Sequence, residues 1–458
     1  MLRGMRRALV AFVRWLAEAL VRLYYPVRVV EDADRIPIGR PVVFVLNHPN
    51  GLLDPIVLGV STGRRARFLA KSTLFGNPFG RLAMDAFGSI PVYRAKESGA
   101  RAGDVTRNDE TFARCRETLA RGGALALFPE GVSHSDPQLK PLKTGAARIA
   151  LSAEREVSER DPSGNTRLGA VVVPVGLFYE RKARFRSRVL LAVGTPIETG
   201  VLLPRYLTDE RATVDALTDE IKARLDAVVL QAESRELLAG IARVASWTTE
   251  RRPRDEREDD LAAEHRRARE LGAAYERLRA RDPDRVDAVA AEARDYARTL
   301  RHMGVRDPWG LEIELIAPGR LLAAIAKVVI ALPFAIAGAA LGWPAYRLAG
   351  EVAVRGTKDD DLLGTVKLIA GATFLLSAWT VEAAVAGALF GAPIAVGVFA
   401  GAIVTGYVAL RFEELARDTA EALRHLWLRA FHFDTARRLG DRRRALAEAV
   451  ARALREAA

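Results

Sequence analysis

The sequence predicts an α/β domain, a mixed sheet flanked by helices, with an amphipathic helix before it and a helical, membrane-associated region after it. Three observations carry this. Short apolar runs alternate with helical patterns over residues 35–205, the signature of an α/β unit. Residues 1–34 place Leu2, Met5, Leu9, Phe12, Val13, Leu16, Leu20 and Leu23 on one helical face, with Arg3, Arg6, Arg7, Arg14, Glu18 and Arg22 on the other. Residues 321–411 hold two to three apolar segments near the roughly 20 residues that cross a bilayer.

Composition narrows the class. A chain of 458 residues, half of them hydrophobic and 28% charged, is not disordered and spans two or three structural units. The single cysteine, Cys115, excludes an intramolecular disulfide and a multi-cysteine zinc site, and fits a reducing compartment. A net charge of +12, with 60 Arg against 9 Lys, favours an anionic partner. Nucleic acid is the weakest choice, because the basic residues are mixed with acids and lack interleaved aromatics. His265, His302, His425 and His432 lie in charged helical stretches, so no metal is expected.

In chain order, the first helix is expected over residues 1–30. Arg14 and Glu18 interrupt its apolar run, which argues against a signal peptide. Such a helix lies on anionic lipid or packs on the next domain. Strands are expected at residues 42–46, 67–70, 90–93, 123–128, 170–175 and 189–193, with helices near 75–87, 107–121 and 141–153. Residues 206–320 turn helical and charged. Asp282-Pro283-Asp284 divides them into a hairpin, and residues 249–260 read as a solvated connection. In the apolar region, Pro333 is expected to divide the first segment into two short pieces, giving a kinked or re-entrant element. Gly391-Ala392-Pro393 joins the next two segments as a helical hairpin, with Glu382 turned away from lipid. The bland alternative for this region is an Ala/Gly-rich soluble core. Residues 412–458 return to charged helices.

Four features carry chemistry. Asn47-His48-Pro49-Asn50-Gly51-Leu52-Leu53-Asp54-Pro55 begins where a buried strand ends. Asp54 at the start of the following helix is placed to hold one imidazole nitrogen of His48, leaving the other to take a proton from a hydroxyl. Gly88-Ser89-Ile90-Pro91-Val92-Tyr93-Arg94 sets an arginine after a short strand; its planar fork suits phosphate. Phe128-Pro129-Glu130-Gly131 comes after another strand, and its glycine lets backbone approach a ligand. Val173-Pro174 puts a proline at an expected strand end.

In this order and spacing the set resembles the glycerolipid acyltransferase family of the phosphatidic-acid-synthesis type, over about residues 35–200. The resemblance implies an α/β acyltransferase fold at a membrane surface. It assigns His48 and Asp54 to the catalytic motif, and Gly88, Arg94, Glu130, Gly131 and Lys143 to substrate binding. Two departures stand out: five residues rather than four separate His48 from Asp54, and Val132 succeeds Gly131 where a threonine is usual, which passes any hydroxyl role to Ser133. The first block and the appended C-terminal regions look more like the glycerol-3-phosphate and dihydroxyacetone-phosphate acyltransferase branch.

The resemblance also implies a reaction class. His48 acts as general base on the acceptor hydroxyl, Asp54 holds its tautomer, and Arg94 binds the acceptor phosphate with Lys143 or Arg148 in support. Glu130 orients Arg94 or its loop, and His134 is incidental. The donor is acyl-CoA or acyl carrier protein, and no cofactor is expected. Membrane lipids and a glycerophosphate acceptor are the expected partners, at a bacterial inner membrane with the site on its cytoplasmic side. The alternatives are a lysophosphatidate acyltransferase making phosphatidic acid, or a catalytically inactive membrane-remodelling or scaffold protein.

Overall fold

The computed structural model describes residues 2–93, 103–161, 167–249, 260–305, 318–357 and 359–457. It divides into two compact units. The first is Met1–Leu238 with Asp359–Thr365, and the second is Ala239–Lys358 with Val366–Ala458.

The first unit opens with helix α1 (Leu2–Tyr24). It stops short of the expected residue 30: Pro26 cannot continue a helix, and the β-branched stretch after it forms strand β1 (Arg28–Glu31). The helix buries Val21 and Tyr24 at its C-terminal end, while Met5, Leu9, Phe12 and Trp15 remain exposed.

The remaining strands are β2 (Val42–Leu46), β3 (Ala66–Lys71), β4 (Ile90–Val92), β5 (Ala124–Leu127), β6 (Val171–Tyr179), β7 (Val189–Val193) and β8 (Ile197–Glu198). They form one sheet in the order β1-β7-β6-β2-β5-β3-β4, with β8 also on β6. Strands β2 to β6 run parallel, and β7 and β8 pair antiparallel to β6. Every residue of β2, β5 and β7 is buried, as expected of a parallel sheet covered on both faces.

Pro174 is not at a strand end as expected, but inside β6 opposite Val45. Its carbonyl accepts from Gly194 N at 2.8 Å. Its polar edge therefore faces the gap between the β8 pairs, at Val171 and Val172, and the β7 pairs, which begin at Val175. The missing N–H costs no ladder bond there.

Helices α2 (Leu53–Thr62), α3 (Pro78–Ala86), α4 (Gly103–Ala120), α5 (Gly145–Arg160), α6 (Leu203–Thr208) and α7 (Glu210–Asp226) cover the sheet, and α8 (Arg235–Thr248) leads out of it. One core joins the sheet to this layer through Val43, Leu125, Ile149, Leu151, Val172 and Ile221. Cys115 lies in the same core, where burial pushes its thiol up to about 12.

In the second unit, α9 (Asp260–Arg281) and α10 (Pro283–His302) form the expected hairpin. Asp282 caps α10 through its side chain, accepting from Arg285 N at 3.1 Å. Most of the expected solvated connection, residues 250–259, lies outside the described residues. Helix α14 (Phe433–Ala457) adds to a cluster containing Trp247, Tyr296, Leu300, Leu428, Leu439 and Leu446.

The apolar region forms α11 (Pro318–Gly356), α12 (Leu363–Phe390) and α13 (Ala392–Phe431), each long and apolar enough to cross a membrane. Helix α11 runs through Pro333 and Pro344, which corrects the expected break. Its 39 residues give a length of about 58 Å at 1.5 Å per residue. Helices α12 and α13 are an antiparallel hairpin: Gly387 approaches Ala395, and Gly406 approaches the Trp379 ring. Ile330, Phe334, Trp343, Leu389, Phe390 and Val396 are exposed. That outward apolar belt fits lipid contact and not a soluble core. Glu382 is half-buried, with Oε2 enclosed.

Candidate active site

The parallel strands bring their C-terminal ends to one edge of the sheet. His48 lies just past β2 and Phe128 just past β5, and β2 and β5 are neighbours. Strand β6 extends beyond the Leu46–Val175 pair to Tyr179 at the same edge. Asn47 continues the ladder with its side chain: Oδ1 accepts from Leu177 N at 2.7 Å, and Nδ2 donates to Leu177 O at 3.1 Å.

His48 Nδ1 lies 2.8 Å from Asp54 Oδ2. The five-residue spacing is absorbed by a turn in which Leu53 N donates to Asn50 O at 3.0 Å, and Asp54 enters the first turn of α2. The positive end of that helix favours its carboxylate. Asp54 is fully buried and well supplied with donors: Asn50 N–H reaches Oδ2 at 2.9 Å, and the Tyr179 hydroxyl reaches Oδ1 at 2.7 Å. Burial first, and then the Asp54 charge, hold the Tyr179 phenol well above its ordinary pKa, so it stays a donor. Asn50 Nδ2 donates to Tyr25 OH at 2.7 Å. Burial, followed by Tyr24, raises the Tyr25 phenol as well.

The imidazole of His48 stacks on Phe128, with centroids 3.8 Å apart and planes at 13°. With Nδ1 committed to Asp54, Nε2 takes no hydrogen bond among the described residues. The ring thus has a fixed orientation, a carboxylate behind it, and an open nitrogen ready to accept a proton.

The third block is organised by His134, which is not incidental as expected. Its Nε2 lies 2.5 Å from Glu130 Oε2, and its backbone N–H donates to His48 O at 3.0 Å. Lys140 N–H also reaches Glu130 Oε2, at 2.7 Å. Glu130 therefore orients its own loop, one of its two expected roles. The signal for His134 in the sequence is its four-residue spacing from Glu130, just after a strand. Ser135 meets Lys182 Nζ, while Ser133 makes no hydrogen bond among the described residues.

Gly131 has φ +73°, and a Cβ there would lie 2.5 Å from Lys143 Nζ. Only glycine suits both this backbone and the lysine crossing it. Lys143 N donates to Pro129 O at 2.8 Å, and its ammonium has no acidic partner among the described residues. Arg148 lies over the Phe112 ring, 5.6 Å from its centroid.

Gly88 is not brought to this edge. It precedes β4, and its carbonyl accepts from Arg67 Nε at 3.0 Å near the start of β3. Strands β3 and β4 are parallel, so Gly88 lies at the opposite edge from His48. Arg94 lies outside the described residues, immediately after Tyr93.

Residues 27–177 match the family model described as Acyltransferase. An uncharacterised acyltransferase of Schizosaccharomyces pombe is 24% identical over 307 residues, 49% of this chain and 44% of the relative. Glycerol-3-phosphate O-acyltransferase 2 of Saccharomyces cerevisiae is 36% identical over 132 residues, 29% of this chain and 17% of that protein. A chloroplastic 1-acyl-sn-glycerol-3-phosphate acyltransferase of Brassica napus is 33% identical over 110 residues, 24% of this chain and 29% of that one. The chain thus spans less than half the length of each of these relatives. The dyad and the Glu130 loop lie within the matched residues 27–177, which are similar to the Acyltransferase family and to glycerolipid acyltransferases, as the sequence motifs also are.

Proposed function

We propose that this chain transfers an acyl group from a thioester, acyl-CoA or acyl carrier protein, to the hydroxyl of glycerol 3-phosphate or dihydroxyacetone phosphate, an entry step of phospholipid biosynthesis. The observation that carries the proposal is the His48–Asp54 pair at 2.8 Å, with Asp54 buried and Nε2 open. Nε2 takes the proton as the hydroxyl oxygen attacks the thioester carbonyl. The carbon–oxygen bond forms and the carbon–sulfur bond breaks. The imidazolium, stabilised by Asp54, returns the proton to the departing thiolate. General-base assistance of this kind is worth about 10²–10⁴-fold. The thioester supplies the activation, and the step draws on no metal or prosthetic group.

Lys143, above Gly131 and without an acidic partner among the described residues, and Arg94, one residue beyond Tyr93, are the cations we assign to the acceptor phosphate. The yeast relative's name supports glycerol 3-phosphate as acceptor. The plant relative's name supports a second reading, acylation of 1-acylglycerol 3-phosphate to phosphatidic acid. The buried, fully bonded Asp54 behind an open His48 Nε2 weighs against an inactive scaffold. The three apolar helices support a membrane location, and we place the site on the side that holds the water-soluble donor. The named relatives are eukaryotic and give no support to a bacterial inner membrane.

The test is thiol release from acyl-CoA by the full chain in lipid vesicles, with each acceptor in turn. Release stimulated most by glycerol 3-phosphate supports the first reading, and release stimulated by 1-acylglycerol 3-phosphate alone supports the second. No stimulation by glycerol 3-phosphate, dihydroxyacetone phosphate or 1-acylglycerol 3-phosphate removes both.

A further inference from the structure

The loop between α11 and α12 together with the first residues of α12, residues 359–365, belongs to the first unit. Three sets of contacts fasten it to the turn that carries the dyad. Asp360 Oδ2 lies 3.0 Å from Lys182 Nζ. The same ammonium donates to Ser135 Oγ and to the Pro49 carbonyl, the latter at 3.4 Å. These partners use all three donors of a lysine, so none is left for a substrate phosphate. Leu362 lies over the turn: a Cβ on Gly51 would come 2.8 Å from Leu362 Cδ2 and 3.2 Å from Asp361 O. Gly364, at the start of α12, meets Asn50 equally closely: a Cβ there would come 2.7 Å from Asn50 Oδ1 and 3.2 Å from Lys182 O.

Asn50 is the residue whose N–H holds Asp54 Oδ2 and whose amide donates to Tyr25 OH. Tyr25 in turn donates to the Lys182 carbonyl at 2.5 Å. Lys182 is therefore tied to the catalytic turn through both its backbone and its side chain. It joins the first block at Pro49, the third block at Ser135, and the interhelical loop at Asp360.

We infer that Lys182 is a positioning residue for the acyl transfer proposed above, clamping residues 359–365 onto the turn at residues 49–54 and so holding Asp54 against the imidazole. The loop between two membrane-type helices is then part of the active-site scaffold, and turnover depends on its staying docked.

Burial alone pushes the Asp360 carboxyl up, but hydrogen bonding and charge from Lys182, aided by Ser135 and Arg235, bring it below its ordinary pKa. Because the folded value is depressed, the tether is fully present above the ordinary carboxylate range of about 3.9. It is lost only as pH falls through the depressed value.

The test uses the full chain in phosphatidylcholine–phosphatidylglycerol vesicles, with Lys182→Met, Lys182→Arg and Gly364→Val. Lys182→Met and Gly364→Val lower kcat on the order of 100-fold, the scale of a small misplacement in an active site. The acceptor KM stays within about twofold. Lys182→Arg keeps most of the turnover. Hydrogen exchange, which needs no turnover, speeds up together at residues 47–54 and 359–365 in Lys182→Met, while β5 stays protected. A raised acceptor KM with normal kcat overturns the inference, because it makes Lys182 a substrate ligand; unchanged exchange at residues 47–54 also overturns it. Coupled exchange in a chain that transfers no acyl group leaves the clamp standing and removes the reaction.

Discussion

At the scale of single residues, the site depends on how Asp54 is held. Three donors converge on one buried carboxylate: His48 Nδ1, Asn50 N–H and Tyr179 OH. Tyr179→Phe removes one charge-assisted bond and leaves the packing, so it should lower kcat by roughly ten- to a hundredfold. Acceptor KM should barely change, and steady-state kinetics with varied acceptor check this. His48 and Asp54 are legible in the sequence because a strand end and a helix start fix both side chains locally. Tyr179 and Tyr25 are not, because they reach the dyad only through the sheet order, from β6 and from the end of α1. His134 is visible but misleading, since its role is set by the path of the loop after β5 and not by composition.

At the scale of elements, the apolar strands are readable from their runs, and β7 runs over Val189–Val193 as expected. Strand β1 is hidden, because the amphipathic pattern of α1 runs on into it, and β8 is only two residues long. Pro174 misleads because a proline reads as a strand end, whereas a change of neighbours along β6 tolerates it inside. Helix α9 makes a separate prediction. His265 is buried, and desolvation, with the Arg269 charge added, lowers its pKa to about 3. The unfolded chain takes up this proton near the ordinary value of about 6.5. Its contribution to stability is therefore present above that pH and is lost as pH falls toward the folded value. The thermal midpoint of the second unit should drop between about pH 6.5 and 5, and His265→Leu should flatten that slope. An equal slope in both proteins would contradict the assignment.

At the scale of the whole molecule, the division into a sheet domain and an apolar helical region is legible from composition alone. The continuity of α11 through Pro333 is not, because local rules see one proline and miss the packing that sustains a long helix. We expect the α12–α13 hairpin to cross the bilayer, with Arg355 and Arg417 on one side and Gly391 on the other. Single cysteines at these positions, in a Cys115→Ser background, should be labelled by a membrane-impermeant reagent in two classes: 355 with 417, and 391 apart. Opposite accessibility at 355 and 417 would break the hairpin topology. The most direct measurement of the central claim is acceptor-dependent thiol release from acyl-CoA by the reconstituted full chain, wild type against His48→Ala. The predicted result is release that needs a glycerophosphate acceptor and falls by about 10²–10⁴-fold in His48→Ala, with β5 and β6 equally protected from hydrogen exchange in both proteins. Release within a few-fold of wild type in His48→Ala, or release indifferent to the acceptor, would contradict it.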